Sequence, residues 1–237
     1  MSYLTKMKNT VIILILLVSF SCSSKEDWTP LFNGEDLDGW HIYRKGTENF
    51  NGWYVDNGVL VFDPANRTDV SNADLVTDRK YTSFELSIEW MISEEGNSGI
   101  FWGVIEDSAY AHTYETGPEI QVLDDNWSAY VDARGDIQRA GSLFNVMAPS
   151  EVVSKPANEW NHYLITINHH TNQGSVVFNE VEVMKFPVNG PAWEELKANS
   201  GFKDWPGFGT AEKGHIALQD HGNQVAYRNI KIRELRQ

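Results

Sequence analysis

The sequence predicts an all-β protein, an antiparallel sandwich of two sheets, and three observations support this. Short segments of alternating apolar and polar residues recur along the chain, separated by Gly, Asn, Asp and Pro. A helical pattern is found in one short segment, residues 191–199, where Trp193, Leu196 and Lys197 share a face. Strands do not alternate with helices, which argues against a parallel sheet with crossover helices. A closed barrel is the structural alternative.

The predicted strands follow one another at short intervals. Val59–Phe62 comes directly after Asn57-Gly58, a pair that favours a tight hairpin turn. Phe84–Ile92 alternates strictly, and residues 98–105 are predicted to pair with it as a hairpin across the turn 94–97. The further predicted strands, in chain order, are residues 118–123, 160–169, 175–179, Val181–Phe186, 214–219 and 225–235.

Charge and composition exclude several classes of protein. The chain has 33 acidic residues against 19 Lys and Arg, a net charge of -14. A nucleic-acid partner is therefore not expected, because such binding draws its affinity from Lys and Arg on phosphates. Hydrophobic and charged fractions of 41% and 22% are ordinary for a globular protein and exclude a disordered or multi-span membrane chain. Nine Trp and nine Tyr suit a β-rich core or stacking platforms for a sugar ring.

The N-terminus has the pattern of an exported lipoprotein. Lys6 and Lys8 precede the apolar run 11–20, which is shorter than the roughly 20 residues that span a bilayer and is typical of a secretory signal. Small residues then lead to Cys22, the single cysteine, so disulfides within the chain and a Cys-based zinc site are excluded. This order resembles the bacterial lipobox, in which the cysteine is lipidated and becomes the first residue. An ordinary signal peptide with an incidental cysteine is the alternative.

The expected organisation follows from this pattern. Residues 1–21 form a lipoprotein signal peptide, residues 22–27 a lipid anchor and short tether, and residues 28–237 a single domain. Residues 23–27, Ser-Ser-Lys-Glu-Asp, resemble the acidic surface-export tag of Bacteroidetes lipoproteins. We expect an exported protein that is lipid-anchored to the bacterial outer membrane, on its periplasmic face or at the cell surface.

Polar residues on predicted strand faces are the candidates for function. Strand alternation puts Glu119 and Gln121 on one face, opposite Ile120 and Val122. A solvated outer face gives the same alternation. Such a face usually carries Lys, Thr and Glu, however, and the recurrence here of Gln, His, Trp and Asn favours a groove that binds hydroxyl groups.

His221 is the second candidate. It shares a strand face with Ala217 and Gln219, and it lies between Asp220 and Gly222 where the strand ends. An imidazole in that setting can titrate near neutral pH and act as an acid or a base. A structural role is the competing interpretation.

Several common motifs are absent. The sequence has no G-x-S-x-G elbow, P-loop or G-x-G-x-x-G, and no E-x-D-x-E strand of the laminarinase type. The seven His show no HExxH or similar metal spacing. No cofactor is therefore assigned, although a divalent metal held by distant strands is left open.

Six short motifs in order resemble one family. They are residues 31–40 (LFNG and LDGW), 96–101 (GNSGIF), 117–124 (GPEIQVLD), 159–161 (EWN), 214–222 (GHIALQDHG) and 228–232 (RNIKI). Together they resemble the 3-keto-disaccharide hydrolase domain family, long catalogued as a domain of unknown function, over about residues 28–235. The resemblance implies a concanavalin A-like jelly roll that cleaves 3-keto-glycosides by hydrolysis or elimination. Phe144 departs from the family, which more often has Tyr there.

This chemistry needs a base and an acid. A ketone at carbon 3 acidifies the hydrogen on carbon 2; a base removes it, the substituent on carbon 1 leaves, and water adds back. We expect Glu119 or His221 to be the base, with the other assisting the leaving oxygen. The expected substrate-binding residues are Gln121, Gln219, Asn97, Arg228, Trp102, Glu89 and Asp124.

The alternative function is a non-catalytic carbohydrate-binding module on the cell surface, because a fold alone does not establish catalysis. In either case the expected partners are a carbohydrate and, through the N-terminal lipid, a membrane.

Overall fold

Two antiparallel sheets make up most of the computed structural model, which describes residues 27–236. The larger sheet has eight strands, in spatial order β11 (Val181–Phe186), β10 (Gln173–Phe178), β9 (Asn161–Asn168), β6 (Phe84–Ile92), β13 (Val225–Glu234), β4 (Val59–Phe62) and β3 (Trp53–Asp56), with β1 (Thr29–Pro30) paired to β13. The smaller sheet has five, in the order β2 (Trp40–Ile42), β5 (Leu75–Thr77), β12 (His215–Leu218), β7 (Asn97–Val104) and β8 (Glu119–Leu123).

Helices are few and short. They are α1 (Ser128–Arg134), α2 (Gly190–Ala198) and single 3-10 turns at Pro64–Asn66, Thr113–Glu115 and Asp136–Gln138. Between residues 27 and 236, none of these helices has the length and apolar character needed to cross a membrane. The expected signal peptide and Cys22 lie outside the described residues.

The core lies between the two sheets. Trp90 of the larger sheet packs against Tyr163 and Phe178, with ring centroids 5.3 and 5.9 Å away. Trp102 of the smaller sheet reaches Phe186 of the larger one, at 5.7 Å. Burial of each such aromatic side chain contributes roughly 1.5–3 kcal/mol.

Two buried hydroxyl groups join the sheets across this core. Tyr163 donates a hydrogen bond to the carbonyl oxygen of Gln121, at 2.7 Å, and Tyr227 lies 2.8 Å from the hydroxyl of Ser98. A buried phenol usually finds such a partner, since leaving it unpaired would cost free energy. These bonds fix β7 and β8 against the larger sheet.

The predicted fold class is confirmed: the protein is an all-β sandwich of two antiparallel sheets, and the barrel alternative is wrong. The Asn57-Gly58 hairpin is also confirmed. It joins β3 to β4, and both turn residues have positive φ, 49° and 81°, as a tight primed turn requires.

The predicted hairpin between Phe84–Ile92 and residues 98–105 is wrong. The two strands belong to different sheets, so the connection 93–96 crosses the sandwich instead of turning within one sheet. Every residue of β7 is buried, whereas β6 alternates between buried and half-buried positions except at Ser87, which is also buried. The alternation in the sequence of β6 therefore reflects one face in the core and one half-exposed face. It does not show which strand pairs with β6.

Four short strands and one helix are additional to the prediction. The strands β1, β2, β3 and β5 have two to four residues each, too few to show a period. The helix α1 lacks a side-chain cap at its start, which removes the usual signal for a helix terminus. The predicted helix at 191–199 is present as α2, one residue earlier.

Candidate active site

The outer face of the smaller sheet carries the polar side chains that the sequence analysis singled out. Ile120 and Val122 of β8 point into the core, so Glu119 and Gln121 point outward. The strands β8, β7 and β12 are neighbours, with Gly99 opposite Gln121 and the amide of Gln219 bonded to the carbonyl oxygen of Gly99, at 2.9 Å. The sheet therefore brings residues about 100 positions apart onto one surface.

A cavity of about 340 Å³ opens on this surface, a size suited to a small ligand. Its floor contains five of the predicted site residues, carried by strands β7 and β8 or following β12: Asn97, Glu119, Gln121, Gln219 and His221. Its walls come from loops and from helix α1 and contain Tyr114, Tyr130, Phe144, Asn145, Gly201, Phe202 and Trp205. An amide-, acid- and imidazole-bearing floor with aromatic walls is suited to a hydroxyl-rich ring.

Glu119 is a buried carboxyl group, only 6% exposed. Desolvation raises the pKa of Glu119 well above its ordinary value, and the nearby charge of Asp74 raises it further. The protonated acid is thus favoured to a higher pH than in an ordinary glutamate. Such a group can donate a proton at neutral pH.

A chain of side-chain amides leads from Glu119 to His221. One end of the Gln121 amide lies 3.2 Å from Oδ1 of Asn97, and the other end lies 3.1 Å from Oε1 of Glu119. The Asn97 amide lies 3.5 Å from Nε2 of His221. With Glu119 protonated, its hydroxyl donates to the Gln121 oxygen; with Glu119 ionised, the Gln121 nitrogen faces the carboxylate. The direction of the chain therefore depends on which end holds the proton.

His221 lies at the mouth of the cavity and is exposed. Partial desolvation of its ring lowers the pKa of His221, and the charge of Asp220 opposes this shift. The neutral imidazole is therefore favoured. A neutral imidazole has a free ring nitrogen that can accept a proton.

The backbone beside His221 is held from behind the cavity. Asp220 is buried and forms an ion pair with Arg67, and it also accepts a hydrogen bond from the amide of Gly222, at 3.0 Å. The amide of Asp220 donates to Asp74, at 2.9 Å. Asp220 is therefore a buried positioning group that faces away from the cavity.

Gln219 carries an unsatisfied acceptor. Its Oε1 atom is buried and has no hydrogen-bond partner among the described residues. A buried polar atom without a partner costs roughly 1–3 kcal/mol. In a ligand cavity, such an atom is available to a hydroxyl group of the ligand.

Four of the predicted substrate-binding residues are not in this cavity, and their expected placement is corrected. Trp102 points into the core because it lies on the inner face of β7. Glu89 and Arg228 lie on the larger sheet, paired at 2.7 Å. Asp124 accepts hydrogen bonds from the amides of Glu95 and Asn126, and so stabilises the turn before β7 and the turn after β8. Strand alternation fixes a side-chain face but not the sheet to which that face belongs.

The aromatic walls were missed by the sequence reasoning. Tyr114 lies in a single 3-10 turn, Tyr130 in the short helix α1 and Trp205 in a loop, and none of these segments is long enough or regular enough to show a period. Burial raises the pKa of Tyr130, whose hydroxyl donates to Oε1 of Gln138, at 2.9 Å. Phe144 was singled out, and it lies in the wall with its amide bonded to the carbonyl oxygen of Glu119, at 3.0 Å.

Within residues 27–236, no group of three or more His, Cys, Asp and Glu side chains is placed to hold a metal ion.

The two antiparallel sheets, with an acid-bearing cavity on the outer face of one of them, define a jelly-roll protein with a small-ligand site. The chain belongs to the family of 3-keto-alpha-glucoside-1,2-lyase-like domains, whose sequence pattern matches residues 27–233. The predicted family is thereby confirmed.

Known proteins agree with this assignment. The chain is 29% identical to a 3-keto-disaccharide hydrolase of Bacteroides thetaiotaomicron, over 89% of this chain and 79% of that protein. A candidate glycosyl hydrolase from Parabacteroides distasonis has a similar structure, with 30% identity, a TM-score of 0.79 and coverage of 88% and 94% of the two chains. A Bacillus subtilis protein with a galectin-like fold shares the fold alone, with 11% identity, a TM-score of 0.53 and coverage of 88% and 94%. The expectation of an enzyme of glycoside-cleaving type is confirmed.

Proposed function

We propose that this protein cleaves 3-keto-glucosides, including 3-keto-disaccharides, by elimination followed by hydration. One observation carries the proposal: a carboxyl group with a raised pKa and an imidazole with a lowered pKa line the same cavity. Two titratable groups whose environments push their pKa values in opposite directions are typical of an acid and base pair. The family and the hydrolase relative support the substrate class.

In the first half-reaction, neutral His221 accepts the proton from carbon 2 of the 3-keto sugar. The electron pair of that C–H bond forms an enediolate with the carbon 3 ketone. When the enediolate collapses, a double bond forms between carbons 1 and 2 and the C1–O bond breaks. Glu119 donates its proton to the leaving oxygen, so the aglycone departs as an alcohol.

The second half-reaction restores both groups. The Glu119 carboxylate takes a proton from water as the water oxygen adds to carbon 1. The imidazolium of His221 returns a proton to carbon 2. The product is a free 3-keto sugar, and each catalytic group returns to its starting protonation state.

The amide chain supports this division of roles. In the proposed starting state, protonated Glu119 donates to the Gln121 oxygen, and the Gln121 nitrogen donates to Oδ1 of Asn97. The Asn97 nitrogen then faces the unprotonated Nε2 of His221. After proton transfer, the reversed amides present nitrogen to the Glu119 carboxylate and oxygen to the protonated Nε2. One orientation of the amides fits protonated Glu119 with neutral His221, and the reverse orientation fits ionised Glu119 with protonated His221. The amide chain thus couples the protonation of Glu119 to that of His221. The unpartnered Oε1 of Gln219 supplies an acceptor for a sugar hydroxyl.

The test is incubation of the purified protein with a 3-keto-disaccharide in D₂O, followed by NMR of the sugar product. His221 is exposed, so the protons of its imidazolium exchange with D₂O before one is returned to carbon 2. Elimination and hydration therefore predict deuterium at carbon 2 of the product, at a rate above the exchange without enzyme. Direct hydrolysis predicts cleavage with no enzyme-dependent deuterium. Absence of cleavage would contradict the substrate class, and a parallel incubation with chelator measures the metal requirement.

We also propose that the chain is exported and anchored to the outer membrane through a lipid on Cys22. The support is the order of Lys6 and Lys8, the apolar run 11–20, small residues and a single cysteine. An enzyme held at the membrane would meet carbohydrate outside the cytoplasm.

A further inference from the structure

A second cavity lies on the opposite side of the sandwich, on the outer face of the larger sheet. It has a volume of about 330 Å³, close to that of the candidate active site. Its lining includes Tyr54, Met91, Trp160 and Gln224. None of these residues has a role in the reaction proposed above.

The strand register gives this cavity the form of a trough. Tyr54 pairs with Val61, Val61 with Ala226, and Ala226 with Met91, which makes one row across β3, β4, β13 and β6. Trp160 comes next, because it precedes Asn161, the partner of Trp90. The row thus has an aromatic residue at each end and short or flexible apolar side chains between them.

The trough is long enough for several sugar rings. Adjacent strands lie about 4.8 Å apart, so four spacings put the backbones of Tyr54 and Trp160 roughly 19 Å apart. Both aromatic residues are half-buried, which leaves part of each ring accessible. Aromatic rings at the ends of an open, shallow surface suit the apolar faces of pyranose rings.

The rim of the trough suits a neutral ligand. Asn57, Asn158 and Gln224 are exposed amides, and Ser93 adds a hydroxyl group. Asp56 is the one charged residue in the lining. Two cations lie beside Trp160, outside the lining: Arg228 is paired with Glu89, at 2.7 Å, and Lys155 donates to the carbonyl oxygen of Trp160, at 3.0 Å. The lining itself therefore offers hydrogen bonds without the free positive charge that a phosphate or an acidic peptide would need.

The Trp160 ring is held by two residues on the same outer face of the larger sheet, next to the trough. The Arg228 guanidinium lies 4.0 Å from the ring centroid, and Glu89 holds Arg228 at 2.7 Å and Asn229 at 2.7 Å. A cation over an aromatic ring contributes about 0.5–1 kcal/mol at an exposed site. Glu89 and Arg228, absent from the candidate active site, thus act here by ordering an aromatic platform.

We propose that the trough between Tyr54 and Trp160 is a second, non-catalytic binding site for a neutral oligosaccharide of glucose units. The choice of glucose units rests on the proposed function. The site would hold the enzyme on a glucan chain while the cavity on the other sheet remains open to substrate.

The test is calorimetric titration of the purified chain with maltohexaose, cellohexaose and laminarihexaose. We expect saturable binding of at least one, with a Kd of about 1 mM or tighter. Trp160→Ala and Tyr54→Ala should each weaken that binding about tenfold or more. Gln224→Ala, at an exposed position that cannot unfold the protein, should weaken it about threefold.

Two controls separate this site from others. Trp28→Ala removes another half-buried aromatic residue, which directly precedes β1, packs against Lys231 and Arg233 and lies outside the trough. This variant should leave binding unchanged. Glu119→Gln should leave it unchanged as well, whether or not the proposed cleavage is correct.

Three results would overturn the proposal. One is the absence of saturable binding with all three oligosaccharides. Another is binding that Glu119→Gln abolishes and Trp160→Ala does not affect, which would locate the ligand in the other cavity. The third is self-association of the protein that Trp160→Ala abolishes, which would make this face an interface between two copies.

Discussion

The carboxyl group of Glu119 occupies the space that a side chain on Gly99 would need. A Cβ atom at position 99 would lie 1.9 Å from Oε1 of Glu119 and 2.6 Å from its carboxyl carbon. Gly99 pairs with Gln121, so Glu119 leans diagonally over the neighbouring strand. The glycine is needed here for space.

Gly99→Ala should therefore displace the carboxyl group of Glu119. We expect turnover of a 3-keto-glucoside to fall at least tenfold, because a misplaced catalytic group loses much of its effect. Gly174→Ala is the matched control: its Cβ would meet the Phe186 ring at 2.3 Å, away from the cavity. That variant should lose stability yet keep its turnover per folded molecule. Equal turnover in the parent and Gly99→Ala would contradict the placement of Glu119 in catalysis.

Glu119→Gln tests the acid directly. Turnover should fall about 100-fold or more, the usual size of a general acid–base contribution. The folded state should survive, because a neutral amide replaces a carboxyl group whose ionised form is disfavoured by burial. Turnover and the thermal midpoint are both measured, with Glu89→Gln on the outer face of the larger sheet as the control for turnover. A destabilised variant with unchanged turnover per folded molecule would show a structural role instead.

If His221 is the base, it should determine the acidic limb of the pH profile of kcat/KM. The lowered pKa of His221 keeps the base unprotonated to a pH below the ordinary histidine value of about 6.5. The value of kcat/KM should therefore stay high until the pH falls below that point. His221→Gln should lower turnover about 100-fold and remove this limb. A limb that persists unchanged in the variant would assign it to another group.

The site could be predicted where alternation alone decides the outcome. Side chains of a strand alternate between its two faces with a period of two residues. Because Ile120 and Val122 are buried in the core, Glu119 and Gln121 must face outward. The same rule put Glu89 on a polar face correctly, but that face belongs to the other sheet. Sheet membership depends on non-local pairing, which no local period encodes.

The walls of the cavity could not be predicted for a related reason. Tyr130 reaches the cavity from the two-turn helix α1, and Trp205 reaches it from a loop. Neither segment carries a repeating pattern long enough to read from the sequence. The turn at Asn57-Gly58 is the contrasting case. Its two positive φ angles are a local requirement, so two adjacent residues were enough to predict it.

Cys22→Ser tests the anchor. If Cys22 carries the lipid, this variant should move from the membrane fraction to the soluble fraction of the cells. The lipid supplies the apolar area for membrane binding, and a serine cannot be lipidated in its place. Ser24→Ala, two residues further on, is the control and should stay in the membrane fraction. Unchanged fractionation of Cys22→Ser would contradict the anchor.

Asp74→Asn should remove a pH-dependent loss of stability. Asp74 is fully buried, and burial raises its pKa to about 6 although Thr113 and the amide of Asp220 donate hydrogen bonds to it. The folded state thus holds the proton of Asp74 more tightly than the unfolded chain does, because the pKa of an aspartic acid in the unfolded chain is about 3.9. Stability falls as the pH rises from about 4 to 6, by roughly 3 kcal/mol, and the loss is complete above pH 6. An asparagine side chain does not titrate in this range. Its oxygen can accept from the amide of Asp220, and its nitrogen can donate to the hydroxyl oxygen of Thr113.

Denaturant unfolding of the parent and of Asp74→Asn at several pH values measures this effect. The free energy of unfolding of the variant, relative to the parent, should rise between pH 4 and 6 and then level off. Asp38→Asn, at an exposed position, is the control and should stay within about 0.5 kcal/mol of the parent. Asp74→Asn should also affect the reaction, because the charge of Asp74 helps to raise the pKa of Glu119. Without that charge Glu119 loses its proton at lower pH, so the alkaline limb of kcat/KM should move to lower pH. A flat stability difference together with an unmoved limb would show that Asp74 does not ionise in the folded protein.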